Sequence, residues 1–256
     1  MNAYLHLLCA VTSFVVTFTS MIYLAGWLTN TIVPFTIDNK PSSWDTLVLL
    51  PGSPVINNIL LIIVFALQHS LMARRAFKKT VETYFPEDFH KVFYNLATMM
   101  AIYAMCFLWA PLPYAIWSVN IPWLKYSILA VRLSLLLLMM KAEGAFDRLS
   151  LYGIRQALSR VKNKDPPEKK LITTGYYGMV RHPIMSCMMA VLFVSPNMGA
   201  GQLLFAITMT IYIVVSVLYL EEHDLVHQFG SQYEEYKKTT PAFIPSLWRS
   251  HKSASD

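Results

Sequence analysis

The sequence predicts an all-α, polytopic membrane protein of about six transmembrane helices. Only 14% of the 256 residues are charged and 55% are hydrophobic, whereas a soluble domain carries about 25% charged residues. The apolar residues also come in blocks near the length needed to cross ~30 Å of hydrocarbon. A one-sided distribution of positive charge, described below, agrees with that number of crossings.

The first block covers 5–28. It lacks a basic leader and an obvious small-residue cleavage site, so it reads as a retained helix. The stretch 29–54 holds Pro34, Pro41, Gly52, Pro51 and Pro54 and reads as a loop. The second block is 55–72 and the third 92–109. Residues 111–122 are apolar but carry Pro111, Pro113 and Pro122, with Trp117 inside and Trp123 just after. They read as an interfacial turn with an aromatic belt. The fourth block is 123–140, followed by a polar stretch to Arg181. The fifth, 183–195, is short and ends in the turn PNMGA (196–200). The sixth is 201–220. We read one integral membrane domain over 1–256, with N-terminal helices in 1–145 and a C-terminal part in 146–256.

Three cysteines, Cys9, Cys106 and Cys187, sit inside apolar blocks without metal spacing and read as small buried hydrophobes. All of the 21 basic residues except Lys40, Lys125 and Arg132 fall in three segments: the loop between blocks two and three, the region between blocks four and five, and the tail. In a six-span chain these segments share one side. The positive-inside rule then places both termini in the cytoplasm. The net charge of +6 belongs to topology and to the headgroups of the lipid bilayer, not to nucleic acid.

Several polar residues stand in or beside the predicted bilayer. Gln68, His69 and Ser70 lie near the cytoplasmic end of block two, before Arg74 and Arg75. They either hydrogen-bond between helices or line a cavity. Arg132 lies about ten residues into block four and needs a partner or a wet cavity. Glu143 and Asp147 are three and four turns on in the same chain, out of reach along one straight helix.

The segment LITTGYYGMVRHPIM (171–185) places Gly175 and Gly178 before Arg181, His182 and Pro183. Proline is favoured in the first helical turn, so a helix is expected to start near His182. Its amides and the guanidinium could hold a carboxylate or phosphate. A basic anchor at a helix end is the plainer reading. Block six leaves the membrane at LEEHDL (220–225). A five-residue turn makes blocks five and six antiparallel neighbours. Counting along both helices puts Glu221 roughly 9 Å further into the cytoplasm than Arg181. Acidic groups at a helix C-terminus also oppose the macrodipole. A polar cleft lined by opposite charges, suited to an elongated zwitterion, is expected between them. Beyond it, Tyr233 and Tyr236 alternate with charge in FGSQYEEYKKTTPAFIP (229–245); they stack a heterocycle or pack the tail.

The run GYYGMVRHP, an apolar hairpin and EEHDLVHQFGSQYEEYKKTTPAFIP resemble the C-terminal half of the isoprenylcysteine carboxyl methyltransferase and phospholipid methyltransferase group. The segments VPFTIDNKP, NNILLIIVFALQHSLMARRAFKK and FDRLSLYGIRQAL narrow the resemblance to its methanethiol S-methyltransferase and nurim-like branch. The intact RHP triplet and the Glu221–Glu222 pair sit with the enzymes of that branch. Many relatives carry a tyrosine two residues after the proline; here it is Met185, and Ser186 and Cys187 replace small glycine-like residues.

The resemblance implies a C-terminal helical hairpin with a cytoplasmic cofactor pocket. It implies methyl transfer from S-adenosyl-L-methionine to a small thiol such as methanethiol, giving dimethyl sulfide. Arg181 and the helix start at Pro183 would then take the donor's carboxylate. Glu221 or Glu222 would take its ammonium or ribose hydroxyls. Gly175, Tyr176, His182 and Tyr236 would frame the adenosyl part. The thiol would enter from the membrane core near Gln68, His69 and Ser70, with His69 or Arg74 favouring the thiolate. The same resemblance leaves room for a non-catalytic nurim-like structural protein. A prenylcysteine or lipid methyltransferase is also open, and would need a long lateral groove. A transporter fits less well, because the charged groups cluster at one surface.

Overall fold

The computed structural model describes residues 2–41, 47–85, 89–145, 148–162, 164 and 170–246. Asp147, Lys169, Arg249 and Lys252 lie outside them. The chain is an integral, multi-pass helical membrane protein. Among the described residues, five helices are long and apolar enough to cross a bilayer: Ala3–Thr29 (α1), Pro54–Ala73 (α2), His90–Leu108 (α4), Pro122–Glu143 (α5) and Ala200–Phe229. The last comprises α10 (Ala200–Val215), a π-helical turn (Ser216–Glu221) and α11 (Glu222–Phe229). The short helices are α3 (Arg75–Tyr84), α6 (Arg148–Leu151), α7 (Ile154–Val161), α8 (Tyr176–Met179), α9 (Pro183–Phe193) and α12 (Ser231–Thr239).

The fifth predicted block differs from a full span. Helix α9 has 11 residues, about 16 Å of rise, roughly half the hydrocarbon thickness. The extended chain after it carries the fold to the far end of the bundle. There the expected turns at 111–122 and 196–200 are instead two short strands, β1 (Ala115–Ser118) and β2 (Asn197–Gly199), paired antiparallel. Val119 N donates to Pro196 O (2.9 Å) and Trp117 Nε1 to Ser195 O (3.0 Å). A backbone without water must satisfy its own polar groups, and this pairing does so where α9 stops short.

Packing follows from residue size. Ala10, Ser13, Thr17 and Ser20 form a buried stripe on α1, at the small-residue spacing that lets membrane helices approach closely. Helix α1 packs on α4, and α4 on α2. Trp27, Trp109 and Phe205 meet edge-to-face at the end that carries the strands. At that end two buried asparagines serve the exit of α4: Asn57 Nδ2 donates to Leu108 O (3.0 Å) and Asn58 Nδ2 to Ala110 O (2.8 Å). They satisfy carbonyls that a helix end leaves without partners. Helix α5 runs against α9 and is otherwise turned toward lipid, with Ala142 its one buried residue. Its Arg132 lines a small cavity with Leu28, Leu192, Ser195, Gln202 and Phe205. No acidic residue is among that lining. Cys9, Cys106 and Cys187 are free thiols, the latter two buried.

Candidate active site

The end of the bundle opposite the strands gathers the charged segments. Gly175, at φ +62°, a conformation costly for residues with a Cβ, turns the chain into α8. Val180 to His182 then run extended beside the C-terminal segment. Arg181 N donates to Pro241 O (2.8 Å) and His182 N to Ala242 O (3.0 Å). Pro183 opens α9 one residue later. Ser186 Oγ donates to Phe243 O (2.7 Å) and so adds a third tie to the same segment.

Opposite this strap the last long helix passes through its π turn. Such a turn holds one extra residue, which rotates everything after it by about 100°. The rotation carries Glu222 inward, where it is 3% exposed, and leaves Glu221 44% exposed. Glu222 Oε1 accepts from Arg181 Nε (2.8 Å) and Nη2 (2.5 Å), and lies 3.2 Å from His182 Nε2. Its Oε2 takes Lys237 Nζ at 3.0 Å. Arg181 Nη1 donates to the carbonyls of Lys237 and Thr240. His182 thus stands between two carboxylates, with Nδ1 3.6 Å from Glu221. Burial disfavours its charge, but hydrogen bonds to Glu221 and Glu222 outweigh that and raise its pKa.

A second cluster sits at the same end of α2 and α4. Tyr94 OH lies 2.6 Å from His69 Nε2, and Thr98 Oγ1 3.3 Å from His69 Nδ1. Ser70 Oγ meets Tyr212 OH at 3.1 Å. Gln68 Nε2 reaches Met72 Sδ at 3.0 Å. Arg74 pairs with Asp224 (3.1 Å) and donates to Leu220 O (3.2 Å), pinning the end of α2 to the last long helix just past the π turn. Glu221, 3.6 Å from His182 and next in the chain to Leu220, whose carbonyl takes Arg74, stands at the junction of the two clusters.

The profile of the NnrU protein family matches residues 58–249, a span that contains both clusters. The chain belongs to the NnrU family. Its relatives include proteins named methanethiol S-methyltransferase and proteins named nurim. Methanethiol S-methyltransferase 1 of Bradyrhizobium diazoefficiens is 32% identical over 96% of this chain and 83% of its own length. Methanethiol S-methyltransferase of Pseudomonas deceptionensis is 32% identical over 86% of this chain and 81% of its own. Nurim of Bos taurus is 28% identical over 67% of this chain and 68% of its own. No solved structure matches.

In this NnrU-family chain the opposite charges expected across an open cleft are in direct contact. The helix count ignored the π turn, and so it singled out Glu221 as the residue facing Arg181; the contact is made by Glu222. Arg181 N and His182 N, just ahead of the first turn of α9, donate to the C-terminal strap. Tyr236 packs: it is buried, donates to Tyr177 O and meets Tyr233 edge-on at 5.8 Å. Tyr176 and Gly175 lie beside the site, half-buried and exposed respectively. Gln68, His69, Ser70 and Arg74 share one end of α2, as expected. Sequence reasoning missed Tyr94, Thr98, Tyr212, Asp224 and Lys237. Tyr94 and Thr98 were accessible: two polar residues four apart in an apolar helix share a face, and that face must find partners in the membrane.

Proposed function

We propose that this protein is a membrane-embedded methyltransferase that moves the methyl group of S-adenosyl-L-methionine to methanethiol, releasing dimethyl sulfide. One observation carries the reading: Glu221, a half-exposed carboxylate 3.6 Å from His182, lies between that cluster and the polar cluster around His69. The activity in the names of relatives 32% identical over most of the chain supports it.

The donor set fits an amino-acid nucleotide. Glu221 suits its ammonium, and the Nζ of Lys237, on a side chain 38% exposed, suits its carboxylate. Tyr176 and Gly175 flank the adenosyl side. Bound there, the sulfonium supplies an electrophilic methyl carbon. Arg181, His182 and Glu222 act earlier, by fixing the strap and the end of the last long helix in place. Tyr94 and Thr98 orient His69, whose ring accepts the thiol proton. The thiolate sulfur then bonds to the methyl carbon as the carbon–sulfonium bond breaks and a neutral thioether leaves. Attack from a fixed position in a dry chamber supplies the rest. Helix α1 begins and residues 241–246 lie at this end with the basic segments, and we place that end in the cytoplasm.

The test is a labelled methyl-transfer assay on purified protein with methanethiol, hydrogen sulfide and a prenylcysteine side by side. Labelled dimethyl sulfide is the expected product. A non-catalytic, nurim-like role would show as no label in any thiol and no thermal shift with S-adenosylhomocysteine.

A further inference from the structure

A groove of about 510 Å³ lies between α3 and α4, at the same end of the bundle as the His69 cluster. Its walls are almost entirely hydrocarbon: Met72 from the end of α2, Phe77 and Val81 from α3, and Phe93, Ala97 and Met100 from α4. Helix α3 roofs it. That helix turns its apolar side inward and carries Arg75 and Lys79 on the chain of α2's exit, as an interfacial helix does.

The groove and the His69 cluster occupy adjacent faces of the same two helices. On α4, Phe93 and Ala97 line the groove while their neighbours Tyr94 and Thr98 hold His69. One residue is about 100° of helix, so the faces abut. On α2 the link is direct: Met72, in the groove wall, receives Gln68 Nε2 at 3.0 Å, and Gln68 precedes His69. Met72 stands three residues after His69 on α2, so a sulfur placed at His69 would lay an attached carbon chain past Met72 into the groove. Methanethiol has no chain to lay there.

We infer that the α3–α4 groove is the subsite for the aliphatic tail of the acceptor, so that the protein methylates medium-chain alkyl thiols as well as methanethiol. This rests on the thiol methyltransferase reading above and specifies its substrate class. The occupant is the tail of the reacting thiol; a bilayer acyl chain filling the same groove is the outcome that would defeat it.

Chain length alone does not test this, because longer thiols concentrate in any detergent micelle. Comparing variants in the same detergent cancels that partition. The full-length protein, with Ala97→Phe narrowing the groove from α4 and Thr80→Trp narrowing it from α3, is assayed with thiols of one, four and eight carbons. Overpacking costs about 1–3 kcal/mol, and 1.4 kcal/mol is tenfold. The expected result is a fall of about tenfold or more in kcat/KM for the eight-carbon thiol in both variants, with methanethiol changed less than about twofold. Equal losses for all chain lengths, or no loss with the long thiol in either variant, overturn the inference. So does a wild-type protein that methylates methanethiol but not longer thiols, and that outcome leaves the proposed function standing. A wild-type protein that methylates no thiol overturns both.

Discussion

Glu222 lies 2.5 Å from Arg181 with both side chains nearly closed to solvent, while its neighbour Glu221 stays 44% exposed. Two adjacent carboxylates thus have separate duties. Glu222 ties the last long helix to the RHP triplet and, through Lys237, to α12. Glu221, 3.6 Å from His182 and 44% exposed, keeps an open side for a ligand. Breaking a buried pair from one side leaves an uncompensated charge.

The division predicts opposite phenotypes. Glu222→Gln should destabilise the protein by about 3–5 kcal/mol, the range for a buried pair broken from one side, and lower its melting temperature in detergent. Glu221→Gln should melt near the wild type yet lose binding of S-adenosylhomocysteine by calorimetry. If both variants melted alike and bound alike, the division would be wrong.

His182 predicts a pH dependence. Its pKa is raised above the ordinary 6.5 in spite of burial, because Glu221 and Glu222 favour the charged ring. A raised folded-state value means the unfolded chain gives up its proton first as pH rises. The stabilisation is therefore complete below about pH 6.5 and disappears as pH climbs through the folded-state value. Melting temperature should fall over this alkaline-going window in the wild type, and the fall should be shallower in His182→Gln.

Tyr94→Phe tests the second cluster. It removes the hydroxyl 2.6 Å from His69 Nε2 while keeping the ring. One hydrogen bond contributes about 0.5–1.5 kcal/mol, so the stability change should be small. Methyl transfer should fall by far more than stability, with the loss in kcat and not in donor affinity. A parallel loss of melting temperature and rate would make the bond merely structural.

Gly199→Ala tests the far end. A Cβ there would stand 2.5 Å from Asp38 Oδ2, closer than van der Waals contact allows. Overpacking of this kind costs about 1–3 kcal/mol. Removing the obstacle with Asp38→Ala in the same chain should recover part of the loss, measured by thermal unfolding in detergent.

The strands show how far pattern reading reaches. Residues 111–122 and 196–200 are rich in turn formers, and each alone reads as a turn. Only their meeting, Trp117 opposite Met198, makes them a sheet, and sequence-distant pairing leaves no local trace. Tyr233 and Tyr236 are a similar case: their alternation with charge fits stacking or packing equally, and the burial of both decides for packing.

The amino-acid order by itself determined the solvent. Apolar blocks of bilayer length with basic residues between them have no stable arrangement except helices in lipid, since the backbone must hydrogen-bond within itself there. It also determined that Arg181, His182 and the glutamate pair lie at one end, because a five-residue turn forces the hairpin. Which glutamate seals the clamp and which faces a ligand was decided by the tertiary structure alone. A π turn of one extra residue rotates the helix beyond it, and no pattern of hydrophobicity records where that residue is inserted.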